Sequence, residues 1–290
     1  MESNAVVPLI DSHCHIQEFA DENELSQLIC RLKEKGFCSL YTNATNIKDF
    51  ESNISISINK SSPSLQIIPG IGYHPWYLDY PKDNPDTWYD TFTSTVKEYQ
   101  SKGIKLFIGE IGIDGGKIKK VFPVQFQIDI FTKQLLFANE QNLLVHIHCV
   151  YEWDKLYKIM STVDIQTLIK GNKILLHSFQ GKMKHIQLFN KLNVFYSISS
   201  GCFTKSNYEM LKAIPNDKLL FESDAPSMFN KSMYDNEDEY KVFYNEETKH
   251  NSPESIITLC KKMAELKGMS EHELRTIVYN NSQCILKEFN

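Results

Sequence analysis

Two histidines one residue apart, His13 and His15 in PLIDSHCHIQ (8–17), close an apolar run. Along a β-strand residues i and i+2 share a face, so both imidazoles are expected to point one way, with Asp11 behind them in the same row. Alone, the pair is an ordinary His-x-His. Four further groups change its weight. Glu110 in FIGEIGID, His148 in VHIHCV, His177 in LLHSFQG and Asp224 in FESDAP each interrupt an otherwise apolar stretch. Each has a bland reading: His177 as a hydrogen-bonded core histidine, Glu110 as a strand-end carboxylate beside a lysine, Asp224 as a turn residue before Ala-Pro. As a set they do not, because ionisable groups withdrawn from water are costly unless paired or bound to metal. Four histidines and two carboxylates are too many for one tetrahedral ion. Two divalent ions sharing a bridging carboxylate would use all six: Glu110 between them, His13, His15 and Asp224 on the first, His148 and His177 on the second. Such a pair can hold a hydroxide and stabilise both oxygens of an in-line displacement. Mixed nitrogen and oxygen ligation suits Zn, Mn or Fe, while Mg accepts fewer imidazoles. The expected cofactors are two divalent ions, Mg, Mn or Zn.

These residues are scattered over more than two hundred positions, so the fold must gather them. Short apolar runs recur at 8–16, 37–45, 65–75, 103–114, 142–150, 172–179, 193–201 and 217–226. They are continuous rather than alternating, as in strands buried on both faces of a parallel sheet. Between them, segments 21–36, 123–142, 184–192 and 252–268 show helical periodicity. Pro123 opens the second, Ser252 and Pro253 start the last, and Gly36 and Gly268 act as stops. Eight strands alternating with helices predict a (β/α)8 TIM barrel, one domain over 1–290. An open doubly wound sheet is the runner-up, with no G-x-G-x-x-G or Walker-type loop to support it. In a barrel the six groups fall at strand ends, on one rim. Segment 227–251 is polar, acidic and aperiodic, and reads either as a functional lid or as a mobile loop.

Composition narrows the class. The chain has 290 residues, 42% hydrophobic, and a formal charge of −5. It carries no apolar run of bilayer length, and MESNAVVPLI lacks the basic region of a signal peptide, so a soluble cytoplasmic protein is expected, with a nuclear location compatible. Seven scattered cysteines without a C-x-x-C pair read as reduced thiols, and Cys14 and Cys149 as packing residues. A net negative charge argues against a broad electrostatic footprint for nucleic acid but leaves room for a local patch; Lys117, Lys119 and Lys120 read either as such a patch or as a plain solvated loop. Arginine is nearly absent, with only Arg31 and Arg275, so bidentate guanidinium clamps on phosphate are largely unavailable.

The ordered set DSHCH, GYHPWY, IGEIGID, QIDIFTKQL, LLVHIHC, HSFQG, ESDAP and HNSP resembles the TatD-related metal-dependent deoxyribonucleases of the amidohydrolase superfamily. The resemblance runs from Asp11 to NNSQCI near the end. It implies a (β/α)8 barrel, hydrolysis of DNA phosphodiesters as a 3′–5′ exonuclease, and metal roles for His13, His15, Glu110, His148, His177 and Asp224. The implied partner is DNA, single-stranded or at its ends, handled by a monomer without a membrane. Two departures stand out. Val150 replaces an arginine frequent two residues after the strand-five histidine, and TKHNSP, with Lys249 and His250, replaces a Gly-Lys-Arg-Asn-x-Pro stretch. Both touch phosphate or loop contacts and leave the ligands intact.

Metal-assisted hydrolysis would use Asp224 as ligand and general base, while His74 in GYHPWY would bind a phosphate oxygen, protonate the leaving oxygen, or simply be a bonded loop histidine. Trp76 and Tyr77 read as base-stacking or as packing. Asp11 is expected to orient a ligating histidine, and His146 to be structural. Two rivals compete: a binuclear hydrolase of another ester or amide in the same barrel, and a metal-binding pseudoenzyme acting as an interaction protein. Glutamate rather than lysine on strand four counts against the first; retention of all six ligands counts against the second.

Overall fold

Every expected apolar run forms a strand in the computed structural model, which describes residues 7–19 and 21–287. They are β1 Leu9–Cys14, β2 Phe37–Asn43, β3 Gln66–Ile71, β4 Phe107–Asp114, β5 Val145–Val150, β6 Ile174–Leu176, β7 Phe195–Ile198 and β8 Leu219–Phe221. The N-terminal stretch judged above for a signal peptide lies mostly outside the described residues. All seven ladders are parallel and the strand order follows the chain, β1 to β8. That order rules out the doubly wound alternative, whose chain would reverse direction along the sheet.

The sheet is nearly closed into a barrel. No regular ladder joins β1 to β8, and the seam is stitched instead by single bonds. Ser12 Oγ donates to the Phe221 carbonyl (2.9 Å), the Asp224 amide to the His13 carbonyl (3.0 Å), and the His15 amide to the Ala225 carbonyl (2.7 Å). Asp11 adds a side-chain tie, accepting from the Ser223 amide (3.0 Å) and hydroxyl (2.5 Å).

The lower barrel is a packed layer: Ile10, Tyr41, Ile68, Phe107, Leu144, Leu175, Phe195 and Leu220 point inward, and Ile285 closes the floor. Ile285 comes from helix Glu271–Leu286, whose N-cap Ser270 accepts from the Glu273 amide. A filled floor leaves only the opposite rim open for chemistry.

The expected helices are Glu22–Glu34, Val124–Glu140, Met183–Phe189 and Ile256–Lys267. Asp21 caps the first through the amides of Asn23 and Glu24 (2.7 and 3.0 Å). Gly36 and Gly268 take φ of +82° and +67°, the left-handed stops that glycine adopts without a Cβ penalty. Pro123 stands at the cap position rather than inside its helix, and Ser252–Pro253 lead into the last helix through a 3₁₀ turn, Pro253–Ser255. Segment 227–251 is neither bare loop nor regular element. It folds into a short helix, Glu237–Lys241, and a two-residue hairpin, Tyr244–Asn245 with His250–Asn251, with the Phe229 and Tyr244 rings stacked at 4.4 Å. Among the described residues no helix is long and apolar enough to cross a membrane, and all seven cysteines are unpaired.

Gly112 makes β4 and β5 compatible. It pairs with His148, and a Cβ built on it would lie 2.0 Å from the His148 carbonyl oxygen. Backbone cannot yield as a flexible side chain does, so Gly112→Ala is expected to destabilise the protein by at least about 1–3 kcal/mol, read as a lowered urea midpoint, and to displace His148.

Candidate metal centre

All six residues singled out from the sequence meet at the C-terminal mouth of the barrel, buried, with Glu110 at the centre. Its two carboxylate oxygens face different neighbours. Oε2 lies 3.2 Å from His15 Nε2 and 3.4 Å from His13 Nε2. Oε1 lies 3.0 Å from His148 Nδ1, 3.3 Å from His74 Nε2 and 3.5 Å from His177 Nε2. Asp224 closes the first group, with Oδ1 3.4 Å from His15 Nε2 and 3.7 Å from His13 Nε2; its Oδ2 is 3.8 Å from His177 Nε2. Asp224 sits at φ +52°, a region that Asp tolerates better than most residues.

The far side of each ring fixes what the near side can do. His15 Nδ1 lies 2.7 Å from the Asn43 carbonyl, an acceptor, so it carries the proton and leaves Nε2 with a lone pair. His148 Nε2 meets Asp114 Oδ2 at 3.1 Å, and His177 Nδ1 meets Glu222 Oε1 at 2.9 Å. By the same logic His148 Nδ1 and His177 Nε2 present lone pairs to Glu110. Three imidazoles therefore aim lone pairs at carboxylate oxygens, and His13 Nε2 lies 3.2 Å from His15 Nε2. Such a set repels itself unless a positive charge sits within it. Histidines backed by a carboxylate or carbonyl are the usual arrangement of metal ligands, and the donor set suits a divalent cation. Donor atoms of His13, His15 and Glu110 fall within one ion's reach, as do those of His74, Glu110 and His148.

The titration directions follow. Burial alone would lower the imidazole pKa values, yet contacts with Asp224 and Glu110 raise His15 well above its ordinary value. Burial is likewise outweighed at His148, by hydrogen bonds to Asp114 and Glu110, and at His177, where Glu222, Glu110 and Asp224 push it up to about 10. At His13 burial and neighbouring His177 prevail, and its pKa is lowered. Burial disfavours the Glu110 carboxylate, but His74, His177 and His13 hold it well below the usual range. Burial would also raise Asp114; bonds from His148 and Trp76 bring it down to about 2.

His74 differs from the others. Its Nδ1 accepts the Trp76 amide (3.1 Å), so Nε2 carries the proton and faces the mouth as a donor. It is suited to an anionic oxygen rather than a cation.

One expectation needs correction in detail, at Asp11, while His146 and the lysine turn take their structural and solvated readings. Asp11 does not back an imidazole: its Oδ1 accepts the His13 amide (3.2 Å) and its carboxylate ties down Ser223. Simple alternation fails there because the β1 register shifts between Asp11 and Cys14. Burial raises the Asp11 pKa to about 8. His146 packs on Phe107 at 4.1 Å, below the site, as a structural residue. Lys117, Lys119 and Lys120 form an exposed turn and do not line the mouth.

Asp114 and Glu222 went unremarked in the sequence. The signal was present: Asp114 stands four residues after Glu110 and Glu222 two before Asp224, even spacings that repeat a strand face. Asn251 was also missed. Buried, it donates through Nδ2 to the Ser223 (2.8 Å) and Ser227 (3.1 Å) carbonyls, clamping the turn that carries Asp224.

A family model described as TatD related DNase matches residues 10–287. An uncharacterized metal-dependent hydrolase, YabD of Bacillus subtilis, is 24% identical over 96% of this chain and 99% of its own. The human deoxyribonuclease TATDN3 is 22% identical over 96% of this chain and 94% of its own. Among solved structures, a TatD homolog from Escherichia coli superposes with a TM-score of 0.79 at 19% identity, covering 97% of this chain and 98% of that one.

Asn251→Ala leaves the buried Ser223 carbonyl and the part-buried Ser227 carbonyl without the Asn251 donor. It is expected to cost about 1–3 kcal/mol in denaturant titration and to speed proteolytic cleavage within 227–250 while the barrel core stays protected.

Proposed function

The chain belongs to the TatD related DNase family, and on that premise we propose that it is a divalent-metal-dependent deoxyribonuclease acting from strand ends as a 3′–5′ exonuclease. One observation carries the reading: the two oxygens of Glu110 face two separate groups of histidine nitrogens, most of them held in the lone-pair tautomer. His13, His15 and Asp224 would hold one cation and His148 and His177 a second, with Glu110 shared between them. Cations bound there would offset charge on the phosphate and generate a nucleophile from water at neutral pH; Mg, Mn and Zn are all compatible with the set.

The chain's own residues supply the rest. Asp224 reaches into the mouth and takes the proton of the attacking water as its oxygen bonds to phosphorus. The P–O bond to the leaving sugar oxygen then breaks. His74 offers Nε2–H to a phosphate oxygen or to that leaving oxygen. Asp114 and Glu222 keep His148 and His177 in tautomer and orientation. A monomer suffices, since every group named comes from one chain, and cytoplasmic or nuclear DNA is the pool this reading implies.

The test is hydrolysis of 5′-labelled single-stranded DNA with Mg, Mn or Zn. Stepwise shortening from the 3′ end is expected, abolished by EDTA and by Glu110→Ala. Asp224→Ala should lower the rate by about 10²–10⁴-fold. Asp114→Asn and Glu222→Gln should each weaken metal affinity or activity about 10–100-fold. Intact DNA under every metal, with turnover of a nitrophenyl ester or a lactone, would transfer the site to the rival hydrolase reading.

A further inference from the structure

The mouth opens into a cavity of about 400 Å³ whose walls combine two features. Its rim carries exposed aromatic side chains: Trp76 (49% exposed) and Tyr77 (42%) after β3, and Tyr151 (83%) after β5. These loops flank β4, which carries Glu110. Among the described lining residues there is no lysine or arginine, while Glu18, Glu110 and Asp224 all contribute carboxylates.

A packing tryptophan would be covered; Trp76 is half open to solvent yet fixed. Its Nε1–H donates to Asp114 Oδ2 (2.6 Å), its amide donates to His74 Nδ1, and its ring stands edge-on to His74 (5.4 Å) and His148 (6.2 Å). Asp114 thus holds a ligand-type histidine and the rim indole with the same oxygen. Tyr151 is held at φ +61°, a conformation a bulky residue seldom takes, with its ring in solvent. The other tryptophans, Trp88 and Trp153, are buried.

From these observations we propose that Trp76 and Tyr151 form a stacking site for the base of one unpaired nucleotide at a strand end; the proposal rests on the nuclease reading above. A phosphate backbone entering this cavity meets carboxylates and no protein cation beyond the centre itself, so recognition falls to the base. Every base presents a π-face, which makes such a site tolerant of sequence. In a duplex both faces are occupied by neighbouring pairs, so a terminal nucleotide must be unpaired to enter. The volume lies at the small end for ligand pockets, the scale of a single nucleotide rather than a helix.

Two arms test the proposal on the full-length protein. In the first, calorimetry and tryptophan fluorescence with Zn present compare deoxyadenosine monophosphate with deoxyribose 5-phosphate, which lacks the base. The nucleotide is expected to bind more tightly and to quench Trp76; Trp76→Ala and Tyr151→Ala should each weaken it about 5- to 100-fold, and Tyr151→Ala, which touches no group of the centre, should leave deoxyribose 5-phosphate unchanged. Trp76→Phe, which keeps a ring, should retain most of the preference. In the second, hydrolysis of single strands ending in a normal or an abasic 3′ nucleotide is compared. A preference for the base-bearing end that rises through KM and disappears in Trp76→Ala supports the site. Equal affinity for the two small ligands, or a base preference untouched by both alanine variants, overturns it. Base-dependent binding without DNA hydrolysis would support the stacking site and sink the nuclease reading instead.

Discussion

The rest of the rim is organised around an unfavourable contact: lone pairs on histidine nitrogens aimed at carboxylate oxygens across about three ångströms. Among the described residues nothing relieves it except added positive charge. The raised pKa values of His15, His148 and His177 are the form this takes when the charge is a proton. A divalent cation meets the same need with higher charge and ligand geometry, and releases those protons on binding. The pinning oxygens of Asn43, Asp114 and Glu222 are therefore as much part of the centre as the nitrogens. They prevent each ring from turning over and satisfying itself locally.

Holding that arrangement requires a closed rim, and the barrel is weakest where β1 meets β8. The seam lacks a ladder, yet two of the central residues, His13 and Asp224, lie on either side of it. Their own backbones cross it, the Asp224 amide bonding to the His13 carbonyl. Asp11 and Asn251 brace the same turn from two directions, one through Ser223 and the other through the Ser223 and Ser227 carbonyls. The left-handed backbone at Asp224 persists because its neighbours on both sides are fixed. The acidic segment 227–251 serves this end, delivering Asn251 to the seam.

Eight apolar runs and four amphipathic stretches made the barrel legible, because strands buried on both faces and helices with one covered stripe leave different periods. The six central residues were legible because each breaks an apolar run at the same point of the β/α repeat. What stayed hidden was pairing between segments. Asp114 and Glu222 look like any acid near a strand end until the histidine on the neighbouring strand is placed beside them. Asp11 was misassigned because a register shift in β1 breaks the alternation on which the reading relied. Asn251 lies within the HNSP motif, but its role stayed hidden because its partners are carbonyls some two dozen residues upstream.

The scarcity of arginine is the compositional feature that the structure makes specific. Arg31 is spent on buried Glu254, 3.3 Å away, and neither arginine lines the cavity. The lysines of the turn Lys117–Lys120 stand outside it. Without cations on its walls, the mouth holds an excess of carboxylate that favours cations and opposes polyanions. An anionic substrate can settle there only after that charge is offset, and His74 offers a neutral donor beside Glu110 to meet it. On the proposed nuclease reading, loading of the centre and admission of a phosphate would become a single electrostatic event. What would remain for the protein walls, on that reading, is to recognise the uncharged part of the substrate, and there they present aromatic faces.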